Sequence, residues 1–401
     1  MVRKTIAGVL PDEWKGTLIK NICRVVRGSS PRPAGSPLFF DGNFLPWATV
    51  ADLTNSDDMY LTSTKSMLTE AGAERTRITD PGTLMLTNSG ATLGVPKISS
   101  IRCGANDGIA MLLELDGIVT EYAYYYLASK TQYFRDVIAP GVGQPNLNTD
   151  LIGDFPIPMP PLAEQKKIAQ ILSTWDKAIA TAEKLLANRQ QQKKALMQKI
   201  LTGRDRFSEF TEKWKYHELS DIAMVQMGSS PKSGAYNENG YGLPLIQGNA
   251  DIKNRRSAPR IFTTEITKEC DVGDILLSVR APVGTVALSS HKACIGRGIS
   301  AIRATMGFSQ DFLYQWFLWF EPRWGALSQG STFESINSDD IKQLKIKLPS
   351  LDEQKKIALI LSNADQEIEL LQQKLNHLKQ EKKALMQHLL TGKRRVKVEA
   401  A

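Results

Sequence analysis

The chain has 401 residues, 42% hydrophobic and 23% charged, enough for two or three domains with cores of their own. No apolar run reaches the roughly 18 residues of a membrane span. The N-terminal MVRKTIAGVLPDEW has too short an apolar core for a signal peptide, and Cys23, Cys103, Cys270 and Cys294 lie far apart with no CxxC spacing, which argues for reduced thiols in a cytoplasm rather than a disulfide frame or a zinc site. The formal charge of +8 and pI near 9.1 favour a polyanionic partner, although weakly for a chain of this length.

In chain order, residues 1–158 mix short alternating strands with Gly, Pro, Ser and Asn turns, and then a helical run from Thr120 to Ile138. Residues 159–205 read as one long helix. Residues 206–348 repeat the first pattern, with short strands, a helical run from Ser309 to Leu327 and a closing strand at IKQLKIKLP. Residues 349–393 read as a second long helix. The basic run Lys393-Arg394-Arg395-Val396-Lys397 opens a tail, residues 394–401, expected to be frayed and solvated.

The two helices are copies. Leu162–Gly203 and Leu351–Gly392 share 23 of 42 positions at an offset of 189, so the chain is a tandem duplication, domain then helix, twice. Each copy follows prolines and ends at Thr-Gly, which are helix start and stop signals. Apolar residues recur at alternating spacings of three and four. In the second copy they are Leu361, Ala364, Ile368, Leu371, Leu375, Leu378, Leu385 and Leu389, with Lys382 on the same seam. The first copy has Leu172, Trp175, Ile179, Ala182, Leu186, Leu196 and Ile200, interrupted by Arg189 and Lys193. Helices of roughly 60 Å, at about 1.5 Å per residue, are too long for one small domain to cover. The two seams are expected to cover each other.

The globular halves agree at turns and apolar anchors. Trp14-Lys15 matches Trp214-Lys215, Gly28 to Arg32 matches Gly228 to Lys232, and Asn148 with Asp150 matches Asn337 with Asp339. Between these anchors they differ, as at Asn88 to Gly94 against Val279-Arg280-Ala281-Pro282. One scaffold with two sets of loop chemistry points to two readers of different short signals. Catalytic signatures are missing: there is no phosphate loop and no Asn/Asp-Pro-Pro-aromatic run, Met159-Pro160-Pro161-Leu162 lacking both the acid or amide and the aromatic. His217, His291, His377 and His388 show neither metal-ligand spacing nor a nucleophile partner.

The pattern of a variable domain, then proline and L-x-E-Q-K-K-I-A opening a long helix that closes K-A-L-M-Q-x-[IL]-L-T-G, all given twice, resembles the specificity subunit of type I restriction-modification systems over essentially the whole chain. The resemblance implies an α/β chain of two pseudo-equivalent target recognition domains separated by two long helices in an antiparallel coiled coil, with a pseudo-two-fold axis through its middle. It implies that each domain reads one half of an interrupted double-stranded DNA sequence. It also implies that the helices bind modification subunits, two copies, which carry S-adenosylmethionine, and that restriction subunits join them. No cofactor and no catalysis are expected in this chain.

Base reading needs Arg, Lys, Asn, Gln, Ser and Thr on groove-entering loops. The candidates in the first half are Ser29, Ser30, Arg32, Asn88, Ser89, Gln144, Asn146 and Asn148; in the second they are Ser229, Ser230, Lys232, Lys253, Arg255, Arg256, Arg280, Arg297, Thr332 and Asn337. Trp47, Trp316, Trp319 and Trp324 lie in apolar surroundings and read as core or helix-face residues. EQKK is retained in both helices, so Glu164, Gln165, Lys166, Lys167 and their copies Glu353, Gln354, Lys355 and Lys356 are expected on exposed faces that serve the partner subunits. Two other classes compete: a scaffold whose domains bind proteins, and an enzyme with a cryptic site in one half.

Overall fold

The computed structural model describes residues 2–139, 146–327 and 335–398. The chain forms two compact units, residues 1–182 with 374–401 and residues 183–373. The division runs through both long helices, Leu162–Ile200 and Leu351–Leu389, so each unit holds one globular domain, half of its own helix and half of the other.

In the first domain the strand after Trp14, Lys15–Leu18, pairs antiparallel with the last strand, Pro156–Met159. Chain entry and exit therefore lie side by side, and the exit strand launches the long helix. Between them lie a five-stranded sheet, in the order Arg24–Arg27, Ile109–Leu113, Leu84–Thr87, Pro96–Ser99 and Tyr60–Leu61, and a four-stranded sheet, in the order Ser66–Leu68, Phe40–Ala48, Cys103–Ala105 and Arg77–Thr79. Leu84–Thr87 and Pro96–Ser99 are buried along their whole length and Ile109–Leu113 along all but its last residue, so Leu84 to Leu86 and Ile109 to Leu113 are continuous apolar runs rather than alternating ones. The run from Thr120 forms an α-helix to Tyr133 and a π-turn at Phe134–Ile138. Tyr122, Tyr125, Leu127 and Phe134 bury their side chains from it in the main core.

The second domain repeats this plan. Lys215–Glu218 pairs with Lys345–Leu348, and sheets of six and five strands lie between. Gln310–Phe320 is its helix, which tightens to a 3-10 turn at Glu321–Arg323, where Pro322 cannot continue the α ladder. Trp316 and Trp324 are buried, as expected of core residues.

The long helices pair antiparallel. In the first unit Lys382 of the second helix donates to Asp176 of the first; in the second unit Lys193 of the first donates to Asp365 of the second. The charged seam positions are thus answered by carboxylates on the residue that follows a seam position, Asp176 after Trp175 and Asp365 after Ala364. Leu172, Ala182, Leu186, Leu361, Leu375 and Leu389 are buried on that seam. Both helices stop where Gly203 and Gly392 take φ of +70°, a left-handed conformation that a side chain would strain.

Candidate nucleic-acid interface

Local hydrogen bonding builds the loops of the two domains on one skeleton. In the first domain Gly28 N donates to Ile109 O at 2.8 Å, Ser29 N to Ala105 O at 2.9 Å and Asn88 N to Gly108 O at 2.9 Å. In the second, Gly228 N donates to Ile299 O at 2.9 Å, Ser229 N to Ile295 O at 2.9 Å and Val279 N to Gly298 O at 2.9 Å. Isolated bridges join Ser89 to Asn146 and Arg280 to Ser335 at matching places. A side chain on Gly28 or Gly228 would strike backbone within about 2 Å, at Asn106 O (2.1 Å) and Gly296 O (2.2 Å), so the glycines hold these loops together.

On this skeleton Ser29, Ser30, Arg32, Ser89 and Asn146 of the first domain gather around a turn at Asn106-Asp107-Gly108. Arg27, Val50, Ser89, Asn106, Asp107, Gly108 and Asn146 line an open, polar cleft of about 390 Å³. Ser30 Oγ donates to Asp107 Oδ1 at 2.6 Å, and Arg32 lies 3.4 Å from Asp107 Oδ2. Asn88 points inward, almost fully buried. Asn148 is exposed but caps a short helix by accepting from Leu151 N at 2.8 Å. Gln144 and Thr332 lie outside the described residues.

In the second domain Ser230 Oγ accepts from Arg297 N at 3.2 Å, which sets Ser229, Ser230 and Arg297 together as Ser29, Ser30 and Asp107 are in the first. The side chains of Arg280, Arg297, Lys232, Lys253 and Arg256 are exposed. Lys253 and Arg256 flank a two-residue turn in which Asn254 and Arg255 have φ of 49° and 60°. Arg255 is committed within the protein, to Val286 O at 3.1 Å and to Glu321 at 2.6 and 2.8 Å. Asn337 caps the helix Ser338–Lys342 by accepting from Asp339 N and Asp340 N.

The repeated EQKK divides into an inward and an outward pair, which corrects the expectation that all of it faces partner subunits. Glu164, Gln165, Glu353 and Gln354 are at most 2% exposed. Gln165 accepts from Val119 N at 2.7 Å and donates to Pro160 O at 2.9 Å, and Gln354 does the same with Ser309 N at 3.0 Å and Pro349 O at 3.0 Å. Glu353 accepts from Trp214 Nε1 at 3.2 Å and from Arg206 at 2.7 and 3.0 Å. Glu164 accepts likewise from Trp14 Nε1 at 3.3 Å and Arg395 Nε at 2.8 Å. The cause is the bend between exit strand and helix, where buried backbone groups need side-chain partners. Lys166, Lys167 and Lys355 are exposed, and half-buried Lys356 pairs with Glu209 beside Phe207.

The tail also departs from expectation. Arg395 bridges Glu164 and Glu13, and both carboxylates hold its guanidinium above its ordinary pKa, while Val396 packs against the first core. The signal was available: Arg206 and Arg395 share the 189 offset and lie three residues past each helix-ending glycine.

Among the described residues no three of His, Cys, Asp and Glu converge to hold a metal, and no helix is long and apolar enough to cross a membrane. His217 packs edge-on against Phe308, and His291 Nδ1 lies 2.9 Å from Ser257 Oγ.

Residues 11–188 and 211–380 each match the type I restriction modification DNA specificity domain. The chain belongs to that family. A chain of Methanocaldococcus jannaschii named as the specificity subunit of type I restriction enzyme MjaX is 35% identical over 291 residues, 68% of each chain. The MjaIX specificity subunit of the same organism is 30% identical over 61% of this chain and 60% of that one. In fold, the S subunit of a type I restriction-modification system from M. genitalium matches with a TM-score of 0.62 at 16% identity, over 95% of this chain and 96% of that one. A chain from a study of complex assembly and conformational transition in a type I R-M system matches with a TM-score of 0.64 at 23% identity, over 96% and 99%. This member of the specificity family is a DNA target-recognition subunit, and its two matched segments are its two globular domains, each with part of the long helix that follows.

Proposed function

We propose that the chain reads a bipartite, interrupted double-stranded DNA sequence, one half-site per globular domain, in a cytoplasmic complex with two modification subunits and, where present, restriction subunits. The modification subunits carry S-adenosylmethionine and the methyl transfer; this chain supplies the address and transfers nothing itself. The observation that carries the reading is the shared loop skeleton with unlike side chains, since a common backbone holding different donors and acceptors is what two half-sites of different sequence require. Of the residues on the repeated helix openings, Lys166, Lys167 and Lys355 are the ones that face outward for the partner subunits.

The test is methyl transfer from labelled cofactor, with the purified chain alone and with its modification subunit added, on duplexes of defined sequence. Incorporation only in the mixture, on a subset of sequences, is expected. Incorporation by the chain alone would make it an enzyme. Binding that ignores salt, where neutralised phosphates demand a steep fall, would make it a protein scaffold.

A further inference from the structure

The two turns that carry Asp107 and Arg297 are the same turn with opposite charges on it. Asp107 N donates to Ser30 Oγ at 3.3 Å and Arg297 N to Ser230 Oγ at 3.2 Å. One residue earlier, Asn106 N donates to Ala48 O at 3.0 Å and Gly296 N to Ile246 O at 2.8 Å. Two residues later, Ile109 N returns to Asn106 O at 3.1 Å and Ile299 N to Gly296 O at 3.0 Å. The backbone thus launches residue 107 and residue 297 from equivalent places in their domains, among the loops that hold the other candidate contacts.

Resting on the reading of the chain as a two-half-site DNA reader, we infer that this position determines one base in each half-site. Asp107 accepts from an exocyclic amino group, that of cytosine or adenine, in the half-site of the first domain, and Arg297 reads guanine in that of the second.

The chemistry forces the difference. A carboxylate has only lone pairs to offer, so guanine O6 and N7 or thymine O4 would face it unpaired, and only an amino-bearing edge satisfies it. A guanidinium has only donors, and its fork matches guanine O6 and N7. Asp107 has capacity left, since its oxygens receive one short bond from Ser30 and one long contact from Arg32, and its side chain is 42% exposed. Its negative charge in a phosphate-lined groove is offset by two cations at its sides, Arg32 and Arg27, whose Nε donates to Asp107 O at 2.5 Å. The second domain keeps no arginine at the place of Arg27, which is Met227, and Arg297 needs none.

Selection from a duplex library with randomised positions, using the full chain, tests this. Wild-type protein is expected to enrich cytosine or adenine at one position of one half-site, and Asp107→Arg to move that position to guanine. The preference there should change by about 5- to 150-fold, the discrimination of a good bidentate contact, while the other half-site is retained. Arg297→Asp should do the reverse in the other half-site. Asp107→Asn, the same shape without the charge but with an amide that matches adenine N6 and N7, should favour adenine over cytosine at that position and leave the thermal transition in place, so that a misfolded arginine variant does not decide the matter. A uniform change over all sequences with an altered salt slope, or an unchanged consensus in both exchanges, overturns the assignment. A wild-type pool with no enriched sequence overturns the DNA-reading function beneath it as well, and so tells the two failures apart.

Discussion

Replacing Gln165 by Ala removes three hydrogen bonds from one buried amide. Its Oε1 accepts from Val119 N, the residue that opens the helix Thr120–Tyr133, and its Nε2 donates to Pro160 O and, at 3.2 Å, to Gly117 O. Gly117 is exposed and water can take its carbonyl, but Pro160 is buried and Val119 half-buried. An orphaned buried group costs about 1–3 kcal/mol. With Val119 discounted for partial hydration, the sum is about 2–4 kcal/mol. A unit of roughly 200 residues shifts its Tm by about 2–4 °C per kcal/mol, so calorimetry of the full chain should show a transition lowered by roughly 5–15 °C. Gln165→Glu should fare no better, because a carboxylate can keep the bond from Val119 but faces the carbonyl of Pro160 with lone pairs. The double charge reversal of Lys166 and Lys167, one residue away, should stay within about 0.5 kcal/mol, as surface changes do. A Gln165→Ala protein that melts like wild type, or a charge-reversal protein that melts lower than it, would refute the division of EQKK into inward and outward pairs. If the outward pair serves modification subunits, the charge reversal weakens that complex without moving the melt.

Truncation after Gly392 removes Arg395 and Val396 from Glu164, Glu13 and the first core; the transition of the unit that contains residues 1–182 should fall by several degrees and the other should stay, as read by calorimetry. Alkali should unfold the first unit steeply. Burial raises the hydroxyls of Tyr122, Tyr124, Tyr125 and Tyr126 above the usual phenol value and the half-buried Cys23 thiol to about 12. For such acids the sign is that the unfolded chain releases protons the native chain keeps, so stability is full below pH about 9 and falls above it, by up to about 1.4 kcal/mol per pH unit for each group once its unfolded pKa is passed. Denaturant midpoints that stay flat to pH 11.5 would contradict the burial of these groups.

The duplication, the helix limits and the seam were legible because they are written locally, in periodicity and in proline and glycine. The roles of Glu164 and Gln165 were not legible, because identity between two copies shows constraint without direction. A buried clamp and an exposed docking face constrain a sequence alike, and only the positions of Trp14, Val119 and Arg395, remote in sequence, tell them apart. Lys193 interrupts the apolar seam in sequence, and its Asp365 partner lies equally remote, on the other helix. Polar loop residues fared unevenly. Asn148 and Asn337 have the side chain of a helix cap as well as of a base contact, and a following acidic turn marks the cap. Asp107 carries a negative charge and no donor, so nothing in the sequence alone marks it as a contact to a polyanion. Setting its turn against that of Arg297, 190 residues on, exposes it.

The pairings predict that the first half of the chain suffices for assembly with itself. At the 189 offset the contacts Asp176–Lys382 and Lys193–Asp365 become one contact, Asp176 with Lys193 of a second copy, made twice. Glu164–Arg395 and Glu353–Arg206 likewise become Glu164 with Arg206 of the second copy, made twice. The doubled cation that Lys193 brings to the middle of such a dimer therefore meets a carboxylate. The losses are the exposed Arg189–Glu367 pair, worth about 0–1 kcal/mol, and the apolar surface of Leu371 and Leu378, whose counterparts in the first helix are Ala182 and Arg189. Residues 1–210 should dimerise, more weakly than the two halves hold together in one chain, whereas residues 1–203, lacking Arg206 and Phe207, should dimerise less. With a true two-fold axis and two copies of one recognition domain, the longer fragment mixed with modification subunit should direct methylation to an interrupted palindrome. Sedimentation equilibrium decides the first step. A longer fragment still monomeric at about 0.1 mM, where any association stronger than about 5.5 kcal/mol would show, or a shorter one that dimerises equally well, would mean that Glu164 and Asp176 are not the groups that join the halves.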